Sequence, residues 1–199
     1  LVLITGFNFG ATFLYISSAP AFIETILGLG TLGYPWFFVP MILGMMSGAA
    51  LSNRLAGVML PRRQVTLGFI LMGIATVASL AYNLFVERPS VPWVVLPIML
   101  NAVGIALIFP VLTIKMLDRY PANRGAAASV QAFLWGMFTS AIAAFLSPAL
   151  SHGHAPLALG AAGLVLGGFG CWWWYTRLCP PSVAELDPHR VVEEAIVAQ

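Results

Sequence analysis

Long stretches without a charged side chain alternate along this chain with short stretches that hold nearly all of them. Residues 1–23, 25–53, 64–86, 89–114 and 125–176 contain no Asp, Glu, Lys or Arg. A helix rises about 1.5 Å per residue, so crossing about 30 Å of hydrocarbon takes roughly 20 apolar residues. Four of the runs hold one such helix each, and the fifth, of 52 residues, holds two separated by a turn at Pro148–Pro156. The pattern predicts six spans, at 1–27, 35–56, 64–86, 93–115, 125–147 and 156–177, in one bundle over 1–178, with a polar tail at 179–199. Runs this long and uniform do not suit the alternating strands of a membrane barrel. The connections are short, so consecutive helices are expected to lie side by side and antiparallel.

Composition turns this pattern into a class. Hydrophobic residues make up 60% of the 199 and charged residues 8%, against about 25% charged in an ordinary soluble domain. Most apolar side chains must therefore face an apolar solvent, and the chain reads as an all-α integral membrane protein. Its net charge of +2 says little, but the placement of the charges says more. Arg54, Arg62, Arg63, Lys115, Arg119, Arg124, Arg177 and Arg190 fall on alternate connections and after the last span, and only Arg88 falls on the other set. By the positive-inside rule those connections and the C-terminus are cytoplasmic. Leu1 in place of Met, with no charge before the first span, reads as the start of a piece of a longer chain.

Several local patterns have a plain explanation. Gly28, Gly30 and Gly33 spell a GxGxxG, but a dinucleotide site needs a strand before it and an acid about 20 residues after it. Here Pro35 opens a span, so the glycines read as a turn. His152 and His154 lack a third ligand, Cys171 and Cys179 imply neither a disulfide nor a metal framework, and no metal site is expected. Gly44 with Gly48, and Gly163 with Gly167, place small residues on one helix face for close packing. Trp172-Trp173-Trp174-Tyr175 before Arg177 reads as an interfacial aromatic belt. Glu24 reads as an outer-surface carboxylate, where its charge costs little. The tail carries Asp187-Pro188 ahead of Val191, Val192, Ala195 and Ile196, a marginal amphipathic helix.

The candidates for function are the polar groups inside the spans. Asn8, Tyr15 and Ser18 lie in the first, Asn101 in the fourth, Gln131 and Trp135 in the fifth. An amide facing lipid is unsatisfied, so Asn8, Asn101 and Gln131 must turn to a neighbouring helix or to a watery cavity. Pro20 and Pro110 are expected helix breaks, of the kind that bend around a central site in transporters.

Three stretches resemble a known family. Gly48-Ala49-Ala50-Leu51-Ser52-Asn53-Arg54-Leu55-Ala56-Gly57, followed by Pro61-Arg62-Arg63, resembles the second copy of the major facilitator loop signature, with Asn53 where the signature has an acid. Gly104-Ile105-Ala106-Leu107-Ile108-Phe109-Pro110, leading through Asp118-Arg119-Tyr120-Pro121 to Arg124-Gly125-Ala126-Ala127-Ala128-Ser129, resembles helices ten to eleven of the bicyclomycin/chloramphenicol-resistance (Bcr/CflA) branch of drug:proton antiporters. Phe13-Leu14-Tyr15-Ile16-Ser17-Ser18-Ala19-Pro20 resembles that branch's helix seven. The resemblance covers nearly all of 1–178 as helices seven to twelve of a twelve-helix fold, a half built from 3+3 inverted repeats.

What it implies is a multi-pass transporter of the bacterial inner membrane that exports drugs or amphipathic metabolites by alternating access. The proton gradient would drive it, with no cofactor. Its partners would be the bilayer, a small-molecule substrate and a missing N-terminal six-helix half that holds the proton-coupling acids, with no nucleic acid. Spans one, two, four and five would line the cavity. Gly48, Asn53, Arg54, Gly57, Arg62 and Arg63 would form a cytoplasmic gate, the arginines binding helix-terminal carbonyls. Uptake of a nutrient keeps the same fold. A lipid-modifying membrane enzyme is the alternative of another class, and it would need a catalytic cluster that these residues do not supply.

Overall fold

The computed structural model describes residues 1–26, 28, 30–86, 90, 91 and 93–179, and among them the chain is all-helical with no strand. Helix α1 spans Val2–Ser17 and is followed by a π-helical turn at Ala21–Ile26. Helices α2 (Tyr34–Leu55), α3 (Pro61–Phe85) and α4 (Val95–Leu117) come next. Helix α5 (Arg124–Ala141) passes through a π turn at Ile142–Leu146 into α6 (Ser147–Leu150), and α7 (His154–Leu178) ends the bundle. Five stretches are long and apolar enough to cross a membrane: α2, α3, α4, Pro121–Leu150 and α7. The first expected span is not one continuous α-helix, because α1 stops at Ser17 and Ser18 forms a turn. The expected tail falls, from residue 180 onward, outside the described residues.

Proline acts differently from expectation. Pro110 lies inside an uninterrupted α4, and Pro40 likewise inside α2. Each removes one backbone donor, yet the helix runs on, held by the elements packed around it. Pro20, by contrast, does mark a break as expected: α1 ends at Ser17 and turns at Ser18, two residues before it, where its ring removes the donor to the Ile16 carbonyl.

Helix α4 is the centre. It packs along α2 on one side and α3 on the other, while α1 packs along α7 and α5, α3 meets α7, and α1 meets α4. The expectation that consecutive helices are neighbours fails for α1 and α2 and for α2 and α3, neither of which is among the closely packed pairs, and α4 packs against both α2 and α3. Glycines explain the closeness of α4. A Cβ on Gly44 would strike the Met99 carbonyl, one on Gly48 would come within 2.6 Å of the Val103 oxygen, and Gly68 and Gly104 press α3 on α4. Gly163, in contrast, has open space around it, and α7 approaches α1 through Gly160, Gly167 and Gly168 instead.

These pairings follow a rule. Count six segments in order, as α1, α2, α3, α4, α5 with α6, and α7. Exchanging first with fourth, second with fifth and third with sixth turns α2–α4 into α5–α1 and α3–α4 into α7–α1, and returns α3–α7 and α1–α4 to themselves. Each of these pairs thus has a counterpart, whereas the lesser contacts of α4 with α5 and of α6 with α7 have none, since α1–α2 and α2–α3 are not among the closely packed pairs.

Candidate functional site

The two sides of α1 have different characters. At 3.6 residues per turn, Asn8 and Tyr15 share one side with Ile4 and Ala11, and all four are buried. Phe9, Phe13 and Ile16 lie on another side and are half-buried. Asn8 abuts Gly168 of α7, and Tyr15 shares a 3.4 Å hydroxyl contact with Ser79 of α3. Tyr15, Thr76, Ser79 and Asn101 surround a void of about 10 Å³ between α1, α3, α4 and α7, close to the space of one water. Ser18 Oγ lies 2.7 Å from Ser147 Oγ and ties the end of α1 to α6. Asn8, Tyr15, Ser18 and Asn101 therefore sit inside this bundle, not on an open face. Asn8 is 2% exposed, and neither end of its amide has a partner among the described residues.

Gln131 and Trp135 lie elsewhere. Trp135 meets Phe9 edge-on at 4.9 Å, and Phe109 closes the cluster at 5.8 Å from Phe9 and 6.4 Å from Trp135. Gln131, one turn before Trp135, donates its amide to Thr113 Oγ at 3.2 Å. Toward the end of the bundle where α4 stops, Gln131 also lines an open cavity of about 560 Å³ with Met116, Arg119, Val130 and Tyr175. There the Arg119 guanidinium donates to the Tyr175 hydroxyl at 3.1 Å. This face of α1, α4 and α5 is aromatic where the three rings meet. Phe9, Phe109 and Thr113 were not singled out by sequence, since a phenylalanine in an apolar span carries no distinguishing signal.

The expected gate residues are spread over three settings. Gly48 is no loop residue but the contact of α2 with α4. Asn53 and Arg54 are exposed in the last turn of α2, and Gly57 turns the chain with φ +80°. Pro61 starts α3, so Arg62 and Arg63 occupy a helix's first turn rather than a loop. A cation is unfavourable at that positive dipole end. Arg62 escapes it by donating to the carbonyl of Cys179, just past the end of α7. Beside it is a bond network that the sequence reading missed: buried Gln64 donates to Ser52 Oγ at 2.7 Å and to the Leu107 carbonyl at 3.2 Å, joining α2, α3 and α4.

The remaining candidates divide. Glu24 is exposed and accepts a 3.2 Å hydrogen bond from Tyr34. Gly30–Gly33 form a 3-10 turn, with Gly28 and Gly30 at positive φ. Trp172 is not part of a belt: it is 3% exposed and stacks on Phe69 of α3 and on Tyr175, whereas Trp173 and Trp174 are exposed. Among the described residues no three His, Cys, Asp or Glu come together as metal ligands.

Comparison with protein-family models, curated proteins and solved structures finds no match to this chain.

Proposed function

We propose that the chain is a six-helix transporter half of the major facilitator type, similar to the Bcr/CflA branch, and that it exports amphipathic aromatic compounds across the bacterial inner membrane at the expense of the proton gradient. The observation that carries this reading is the exchange rule of the packing. Chain direction reverses at each short connection, so segments three apart run oppositely, and a bundle whose main helix pairings survive their exchange is what two inverted three-helix repeats produce. In such folds the substrate sits between two halves, at the side where the central helices are least covered.

That side here is the face of Phe9, Phe109, Gln131 and Trp135. Helix α5 and the π turn after it bury only a narrow stripe, Gln131, Thr139 and Ile142, while Val130, Phe133, Leu134 and Met137 stay exposed. The exposed area of α5 and the outer side of α2 fit a second six-helix half. At the basic end, the Arg62 bond to α7 and the Gln64 network to α2 and α4 hold this half rigid as it rocks.

The test is dye efflux from energised cells that produce the intact transporter at matched protein level. Trp135→Ala should slow efflux of flat aromatic dyes roughly two- to tenfold, the scale of one aromatic contact. A protonophore should abolish efflux in the parent protein. Unchanged rates for Trp135→Ala and Gln131→Leu with every substrate tested would remove this face from the transport path.

A further inference from the structure

Seven basic residues are described, and all lie at one end of the bundle: Arg54 closes α2, Arg62 and Arg63 open α3, Lys115, Arg119 and Arg124 surround the α4–α5 connection, and Arg177 closes α7. At this end, on the side of the bundle away from the aromatic face, α3 and α7 leave an open groove of about 430 Å³. Arg62, Arg63, Thr66, Leu67, Ile70 and Trp172 line it.

Its chemistry is graded along the helix axis. Arg63 stands exposed at the mouth, and beside it the Arg62 guanidinium already donates to the Cys179 carbonyl. The two hydroxyls nearby are already used, Thr66 donating to the Arg62 carbonyl at 2.9 Å and Thr176 to the Trp173 carbonyl at 2.8 Å. Below them the walls are apolar: Leu67 and Ile70 on one side, and on the other Trp172, fixed by its stack on Phe69. The apolar seam continues past the groove along both helices, over exposed Ile74 and Val77 of α3 and Phe169 and Leu166 of α7. From Arg63 to Val77 this makes about 20 Å at 1.5 Å per residue, longer than the hydrocarbon of one leaflet.

We propose that this groove is a binding site for an anionic phospholipid, the phosphate held by Arg63 in the field of the neighbouring Arg62 charge and one acyl chain lying over Leu67, Ile70 and Trp172. A soluble anion would use only the mouth, and an uncharged lipid only the seam. Basic grooves between helices on the cytoplasmic side suit anionic headgroups, whose surface charge favours each nearby basic residue. The site does not depend on what the chain transports.

The full chain in phosphatidylcholine nanodiscs, probed with trace spin-labelled lipids, tests this. Labelled phosphatidylglycerol should be immobilised several-fold more than labelled phosphatidylcholine. Arg63→Gln should cut that preference roughly fivefold. Ile70→Trp, which keeps every charge and fills the groove from its exposed side, should cut it as much, while Arg124→Gln should leave it unchanged. Thermal unfolding of each variant checks that it is folded. Equal immobilisation of the two lipids overturns the site. So does an Arg124→Gln loss as large as that of Arg63→Gln, which would make the effect general surface charge. Retained preference in Ile70→Trp, or displacement by millimolar inorganic phosphate at constant ionic strength, would mean that the groove holds no acyl chain.

Discussion

The amide of Asn8 shows what a single polar residue can and cannot tell from sequence. Its type says that it must turn away from lipid, and it does, but toward α7 rather than toward a cavity. Both ends of its amide are buried without a partner among the described residues, a cost of about 1–3 kcal/mol for each unsatisfied group in a soluble interior and less within a bilayer bundle. Asn8→Leu, close to isosteric, should therefore raise thermal stability by about 1 kcal/mol in detergent-solubilised protein and leave dye efflux unaltered. A lower unfolding midpoint would mean that the amide has a partner, such as a bound water. The same reasoning explains how much of the site was legible. Gln131 and Trp135 were chosen as polar groups in an apolar span; Gln131 lines the open cavity at the basic end and Trp135 packs on Phe9. Tyr15 and Asn101 were chosen on the same ground and line an internal void, because inward has two meanings in a half-bundle and only the position of α3 and α7 separates them.

Helices were the most legible level, since a charge-free run and its flanking basic residues fix a helix without knowledge of its neighbours. Charge could not locate the turn at Ser18, where the interruption lies within an apolar stretch. Nor could it tell that Pro110 would be carried inside α4. Small-residue spacing was informative only where the register matched a partner. Gly44 and Gly48 meet the α4 backbone, whereas Gly163 meets nothing within 4 Å. The two sites should respond oppositely to a side chain. Gly48→Val must push α2 off α4, since even a Cβ comes within 2.9 Å of three α4 atoms, and overpacking of this kind costs roughly 1–3 kcal/mol or more. Gly163→Ala meets open space and removes a glycine from a helix interior, a gain of up to about 1 kcal/mol in a soluble helix. Thermal unfolding of the two variants should move in opposite directions, and a destabilising Gly163→Ala would place a neighbouring surface against that face of α7.

At the scale of the molecule, charge and packing describe one polarity. All seven described basic residues gather at the end where α2, α4 and α7 finish, and the opposite end holds Glu24 with Tyr34, Ser18 with Ser147, and exposed His152. Exposed tryptophans mark both ends, Trp36 and Trp93 at one and Trp173 and Trp174 at the other. From Trp36 to Arg54 the rise is about 27 Å at 1.5 Å per residue, close to the hydrocarbon thickness that such anchors bracket. Arg177 lies 3.7 Å from the Trp173 ring centre, so one of these anchors is paired with a cation that belongs at the headgroup level. Seven cations cannot cross the bilayer together as readily as the one acid and two imidazoles described at the other end, Glu24, His152 and His154, so the basic end should remain in the cytoplasm. In a background with Cys171 and Cys179 replaced by serine, a cysteine at Arg63 or Arg124 should resist a membrane-impermeant maleimide in intact cells and react after permeabilisation. A cysteine at His152 or Ser90 should react from outside. Labelling of both Arg63 and Arg124 positions from outside, with His152 protected, would invert the molecule, and the proposed lipid groove would then face the outer leaflet.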